Sequence, residues 1–308
     1  MAQISAALVK ELREKTGAGM MDCKTALAES DGDLEAASDW LRKKGLSQAQ
    51  KKAGRTTADG LVGIAFEGNI GALVEVNSET DFVARNDSFQ EMVRAIARRA
   101  PDAEGDVDTL KAVELPSGRT VEDEITHAIG VIGENMTLRR TATLRVDEGV
   151  VGGYVHAQTA PGLGKIGVLV ALRSSAGDTD RLADIAKQVA MHVAASNPQS
   201  VDVDDLDPAL VAHERAILVD QAKASGKPDN IIEKMVEGRL RKFYEEVVLN
   251  EQLFVIDTEK KVKDFVAGEA EALGAPVAIA GFVKFVLGEG IEKQETDLAA
   301  EVAQLAGG

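Results

Sequence analysis

The chain repeats itself, and that repeat limits the folds open to it. Gly60-Leu61-Val62-Gly63, followed by Gly71-Ala72-Leu73-Val74-Glu75-Val76, returns as Gly149-Val150-Val151-Gly152, followed by Gly167-Val168-Leu169-Val170-Ala171-Leu172. Each pair of apolar runs reads as the two strands of a hairpin, and each hairpin leads into an amphipathic helix. Phe89, Met92, Val93 and Ile96 in the first copy correspond to Leu182, Ile185, Ala186 and Val189 in the second, and Pro101 and Pro198 follow them. Each half then offers another helix and a closing strand, 136–146 and 276–287. Two copies of β-β-α-α-β indicate an α+β fold with antiparallel strands, not a parallel doubly wound sheet. The two runs start 11 residues apart in the first copy and 18 in the second, which a hairpin turn longer by seven residues would explain.

Helices flank and interrupt this core. Ile4, Leu8 and Leu12 line one face of a first helix over about 5–15, with Ser5 as N-cap, and Thr16-Gly17-Ala18-Gly19 ends it. A second helix is expected after Asp22. A third is capped by Asp33, carries Leu34, Ala37 and Leu41, and is expected to stop at Gly45. Between the second-half helices, Asp207-Pro208 opens a helix through about Ala224, and Ser225-Gly226-Lys227-Pro228 breaks it. The next helix has a wide apolar stripe, from Ile231 and Ile232 to Tyr244 and Val247, that can pack on its hairpin neighbour or on a second subunit. A short last helix is expected near Asp297, with Leu298, Val302 and Leu305 on one face. The expected organisation is a three-helix domain (1–45), a linker (46–57), a core N-subdomain (58–146), a core C-subdomain (147–206 and 249–290), an inserted helical hairpin (207–248) as a homodimerisation candidate, and a C-terminal module (291–308).

Composition narrows the function. The 308 residues carry 51 acids against 35 bases, a net charge of −16, which disfavours generic binding to nucleic acid or to an anionic membrane. The local exception is Arg42–Arg55, with six basic residues and no acid, which makes a translation-associated RNA-binding protein the alternative function. A single cysteine, Cys23, excludes an internal disulfide and a cysteine-based zinc site. The opening MAQISAALVKELREK lacks the basic flank and apolar core of a secretion signal, and no apolar run approaches a membrane span. A soluble cytoplasmic protein is expected.

No enzyme motif survives inspection. Gly162-Leu163-Gly164-Lys165-Ile166-Gly167 spells GxGxxG, but the Val168–Leu172 run after it reads as a strand, whereas a dinucleotide site needs a helix there. It is not a Walker loop either, because Ile166 stands where Ser or Thr must bind magnesium. His127, His156, His192 and His213 are scattered, and no metal site or cofactor is expected; His192 reads as a core or interface residue. Two segments are not explained as scaffold. Met20 and Met21 sit in a glycine-rich stretch, where they either plug the small helical core or form a protein-binding surface. Phe82 lies between a strand and a helix in Glu79-Thr80-Asp81-Phe82-Val83-Ala84-Arg85-Asn86, and either folds back on the core or faces a partner.

Those stretches carry a resemblance. LVKELREKTGAGMMDCKTAL (8–27), VNSETDFVARN (76–86), IAKQVAMHVAASNP (185–198), SGKPDNIIEKMVEGRLRKF (225–243) and GEGIEKQETDLAAEVA (288–303) are similar, in order and over nearly the whole chain, to the bacterial elongation factor Ts family. The resemblance implies a ubiquitin-associated-like three-helix domain, a two-subdomain α+β core, and a helical hairpin that dimerises in some members. It implies guanine nucleotide exchange on elongation factor Tu without covalent chemistry. By the same resemblance, Thr80, Asp81, Phe82 and Val83 form the loop that intrudes into the GTPase domain and dislodges its magnesium. Met20 and Met21 would meet a helix of that domain, His156 would face the partner's last domain, and the C-terminal helix would add a contact. The stretch TAPGLGK (159–165) departs from the family pattern by its length.

Overall fold

The computed structural model describes residues 4–224, 226 and 228–292. The helix expected near Asp297 lies outside them. Three helices open the chain: α1 (Ala6–Thr16), α2 (Met20–Glu29) and α3 (Leu34–Lys52). Ser5 Oγ accepts from the Leu8 amide, and Gly17 ends α1 at φ 68. Leu12, Cys23, Ala26, Leu27 and Ala37 form the small core between the three.

The first half of the core is β1 (Asp59–Glu67), β2 (Ile70–Ser78), α4 (Asp87–Arg99), α5 (Val107–Ala112), α6 (Val121–Ile132) and β3 (Met136–Arg145). The second is β4 (Gly149–Ala160), β5 (Leu163–Ser174), α7 (Thr179–Ser196), α10 (Val262–Leu273) and β6 (Val277–Val286), with α8 (Pro208–Lys223) and α9 (Asp229–Val247) inserted before α10. Each half folds as an antiparallel three-stranded meander with its second strand in the middle, β1-β2-β3 and β4-β5-β6. The two meanders join where Val62 and Gly63 of β1 pair with Gly164 and Leu163 of β5.

The glycines explain why the repeat takes this form. Gly60 and Gly149 both start their copies at positive φ, 124 and 133, where a Cβ would lie 2.2 Å from the Val76 carbonyl oxygen and 2.0 Å from that of Leu172. Gly63 and Gly152 admit a helix: a Cβ on Gly63 would lie 2.9 Å from the Val93 side chain of α4, and one on Gly152 would lie 2.6 Å from Ala186 Cβ of α7. Gly71 and Gly167 let the sheets pack face to face. A Cβ on Gly71 would strike Leu169 and Val151, and one on Gly167 would strike their counterparts Leu73 and Val62. The contact is reciprocal, as a two-fold relation between the halves requires. Val62, Leu73, Val151, Leu169 and Phe285 form the core between the sheets, while α4 and α6 cover the outer face of one and α7 and α10 that of the other.

A buried carboxylate closes the joint at the other end. Glu75 is fully buried, pairs with Arg139 at 3.0 Å and Arg140 at 2.6 Å, and accepts from Asn77 Nδ2 and from the Gly288 amide beyond β6. Burial alone would raise the Glu75 pKa, but these donors outweigh it and hold it below its ordinary value. Arg140 also lies over the Phe285 ring at 4.3 Å, so the network ties the first sheet to the end of the last strand.

Three local expectations need correction. Helix α3 does not stop at Gly45 but runs to Lys52, so most of the expected 46–57 linker is helical. Gly45 serves instead as a contact: a Cβ on Gly130 of α6 would lie 3.0 Å from Gly45 Cα, so the paired glycines bring the two helices together. The Lys52 ammonium then donates to the Gly133 carbonyl at the end of α6. Helix α2 starts at Met20 rather than after Asp22, so both methionines sit in its first turn. The second hairpin does not have a longer turn. Pro161-Gly162 closes it with two residues, as Gly68-Asn69 closes the first; β4 and β5 are twelve residues each against nine in β1 and β2, and a bulge after Gln158 takes up the odd residue. As expected, the GxGxxG sequence runs into a strand.

His192 on α7 is fully buried. Its Nδ1 accepts from the Val255 amide at 3.2 Å and its Nε2 meets Gln252 Oε1 at 2.8 Å, which together define the neutral Nε2–H tautomer. Burial lowers its pKa from the ordinary 6.5, and burial does the same to His127 on α6, aided by Arg119.

Gly152→Ala should lower stability by about 1–3 kcal/mol, because α7 must move off the sheet. Gly268→Ala in α10, where nothing lies within 4 Å of the new methyl, should raise it by about 0.5–1 kcal/mol; urea midpoints measure both. Stability should also fall as the pH drops below about 6.5, because the unfolded chain takes up protons that the folded His192 and His127 refuse. His192→Asn should flatten that slope, whatever it does to the midpoint at pH 7.5.

Candidate functional site

Among the four residues of the Thr80 loop, only Val83 is buried. Ser78 Oγ donates to the Thr80 carbonyl at 2.9 Å, which turns the chain out of β2. Residues 83–85 form one 3-10 turn, and Val83 and Ala84 sink into the first-half core. Gln90 Nε2 donates to the Ala84 carbonyl, and Asn86 caps α4 by accepting from the Phe89 amide. Asp81 and Phe82 are left at the crest. The Phe82 ring is 75% exposed, so it does not fold back on the core.

A second loop holds this crest from below. Glu134, just past α6, accepts from the Thr80 amide at 2.9 Å and the Thr80 hydroxyl at 2.7 Å. The neighbouring Asn135 amide donates to Glu79 Oε1, Arg55 pairs with Glu79 at 3.3 Å, and Asn135 Nδ2 donates to the Arg55 carbonyl at 2.9 Å. Sequence reading missed Glu134 and Asn135, which lie more than fifty positions downstream of their partners. No local motif marks them beyond Gly133, whose φ of 91 ends α6 and sets the turn.

The other expected site residues stand apart on their own elements. Met20 and Met21 are 60% and 70% exposed on the first turn of α2, so neither plugs the helical core. His156 is exposed on the extended arm of β4, its Nδ1 3.1 Å from the Tyr154 hydroxyl. The structure thus offers three outward features in a chain with only eight phenylalanines: an aromatic crest, a methionine pair and a polar arm. Among the described residues, no hydrogen bond or ring contact joins any two of them.

The basic run is partly consumed inside the fold. Lys44 pairs with Asp22 at 2.7 Å and lies over Trp40, Lys52 caps α6, and Arg55 is held by Glu79. Among the described residues, Arg42, Lys43 and Lys51 make no ion pair or side-chain hydrogen bond, so about half of the run's charge is left uncompensated. Among the described residues, no group of three His, Cys, Asp or Glu side chains could hold a metal ion, and no helix is long and apolar enough to cross a membrane.

Comparison with known proteins places the chain in a family. Residues 79–289 match the family model described as Elongation factor TS. The chain is 61% identical over 305 residues to Elongation factor Ts of Rhodospirillum rubrum, covering 98% of each chain. It is 58% identical over 308 residues to that of Rhodospirillum centenum and 57% over 309 residues to that of Parvibaculum lavamentivorans, each over the full length of both chains. The chain belongs to the elongation factor Ts family, which makes it a nucleotide exchange factor for elongation factor Tu and not an enzyme.

Proposed function

We propose that Phe82 is the wedge of this exchange factor, carried by Thr80, Asp81 and Val83 into the nucleotide domain of elongation factor Tu, in the cytoplasm. The observation that carries the reading is an aromatic ring held in solvent by a loop whose next two residues are buried and whose backbone is pinned by Glu134. An exposed Phe costs hydration free energy in the free protein and recovers it when a partner covers it. Three-quarters of a ring that buries roughly 200 Å² gives at most about 4 kcal/mol. At about 1.4 kcal/mol per tenfold, one wedge supplies roughly three orders of magnitude in GDP release.

Exchange needs no covalent step. The factor binds the nucleotide-free GTPase more tightly than the GDP-bound one, and by linkage it weakens GDP binding by the same factor. Asp81 brings a negative charge beside Phe82. Set near the phosphates and magnesium, that charge competes with the metal's hold on the nucleotide. Met20 and Met21 give a second, adaptable contact, and His156 a third. The C-terminal module beyond residue 292 would add to this surface.

A two-fold contact through 207–248 would rest on little. Leu218, Ala222, Ile232, Val236 and Leu240 pack inside the α8–α9 hairpin, which leaves Ile217 and Ile231 as its exposed large aliphatics among the described residues. Such a patch falls well short of the roughly 1,200 Å² of a stable interface, so the proposal is a weak dimer. Sedimentation should show association at high concentration that Ile217→Glu/Ile231→Glu abolishes.

The decisive test is stopped-flow release of a fluorescent GDP analogue from elongation factor Tu. Phe82→Ala should lose about 2–4 kcal/mol of coupling, roughly 30-fold or more in release rate, while the urea midpoint stays within about 0.5 kcal/mol, as for an exposed side chain. Unchanged stimulation would reject the wedge. Glu134→Ala should speed hydrogen exchange at the Thr80 amide and weaken stimulation while leaving Phe82 in place.

A further inference from the structure

We propose that the cleft where the two halves of the core meet is a docking site for an acidic segment of elongation factor Tu. The open cleft, of about 900 Å³, lies beside the joint between β1 and β5, where the Ile64 amide donates to the Gly162 carbonyl at 3.0 Å. One wall is α4, which presents Arg94 and Arg98 one turn apart, and another is α7, which presents Lys187. Arg94 and Lys187 follow Val93 and Ala186, the two residues that the helix-facing glycines Gly63 and Gly152 admit. The same packing that seats each helix therefore aims one cation from each half at the seam.

Charge and surface together define the occupant. Among the described residues, none of the three cations makes an ion pair; Arg94 only donates to Gln90 Oε1 at 3.3 Å. The lining holds one carboxylate, Glu67. Three cations without an ion pair, lining one cleft in a chain of net charge −16, stand against the field of the whole molecule. The lining also holds Ile64, Ile70, Val155 and Phe66, the last 45% exposed. Arg and Lys can also hold a small phosphate, but the lining offers no helix start or glycine nest with converging amides and includes strand faces and apolar side chains. That mixture suits a peptide segment with spaced carboxylates and an apolar residue between them. Gln158 and Pro161 of the lining belong to the lengthened hairpin that also bears His156, so the cleft adjoins the arm proposed above as a partner contact.

The proposal rests on the exchange-factor assignment and deepens it. The test compares wild type with Arg94→Gln/Arg98→Gln/Lys187→Gln for association with nucleotide-free elongation factor Tu from the same organism, at about 50 and about 300 mM salt. The variant should associate about tenfold more slowly at the lower salt, the gap should close at the higher, and Arg94→Lys/Arg98→Lys should retain wild-type behaviour. Equal rates and equal salt dependence in wild type and the neutral variant would overturn it. Tripolyphosphate is titrated in parallel. Binding to wild type but not to the variant, with partner association unchanged, would make the cleft a small-anion site and reject the proposal. Wild-type acceleration of GDP release is measured on the same samples. Its absence would reject the assignment and this proposal with it; its presence beside an inert cleft would reject the proposal alone.

Discussion

Everything in the core depends on two sheets approaching closely enough to share one apolar layer. Gly71 and Gly167 permit that approach, each receiving side chains whose counterparts receive the other. A methyl at either place would meet atoms at 2.9 Å or less, with no outlet in a close-packed interior. Once the sheets meet, the outer faces are free for helices, and the seam between β1 and β5 is fixed. Glu75 then acts as a rivet. A buried carboxylate with a single partner would be a liability, but here four donors from three segments saturate it. Its placement locks the end of β6 to β2 and β3.

The rigid core gives the crest its mechanical value. A loop that must order itself on binding loses affinity to the cost of ordering. The Thr80 loop has already met that cost in the folded protein. Val83 and Ala84 are anchored in the apolar core, and Thr80 is bonded twice to Glu134, which itself hangs from the end of α6. Helix α3 is joined to that same end through Lys52 and through the Gly45–Gly130 contact. The methionine pair on the small helical domain is therefore connected to the Phe82 crest through α3 and α6, not through a free tether.

What the sequence revealed followed physical periodicity. The repeat, the strand pairs, the caps at Ser5 and Asp33 and the hairpin insertion are all written in short-range patterns, and each stands in the structure. The misreadings share one cause. Gly45 carries the residue type of a helix stop, but a glycine also lets two helices touch, and only the distant Gly130 decides between these roles. The extra seven residues at the second hairpin could lengthen a turn or lengthen its strands, and the alternation along the arm is too weak to choose. Glu134 and Asn135 were invisible because their partners lie in another part of the chain. Phe82 was ambiguous by propensity, since a lone aromatic between a strand and a helix is normally buried; the resemblance pointed outward, and the exposure of the ring agrees.

The same logic separates the parts of the surface by what they can contribute. Hydrophobic burial of a ring such as Phe82 would be strong but short-ranged, acting only once a partner covers it. Charge acts before contact, over about 8 Å at physiological salt. A protein of net charge −16 therefore approaches an acidic region of any partner at a disadvantage unless it opposes its own field locally. Arg94, Arg98 and Lys187 do so at the pseudo-two-fold seam, the place where the fold already brings two helices to bear on one cleft. On the two proposals above, the seam would govern encounter and orientation, and the crest would supply the differential binding that expels the nucleotide. The core between them holds the two at a fixed separation, so that correct docking at one positions the other.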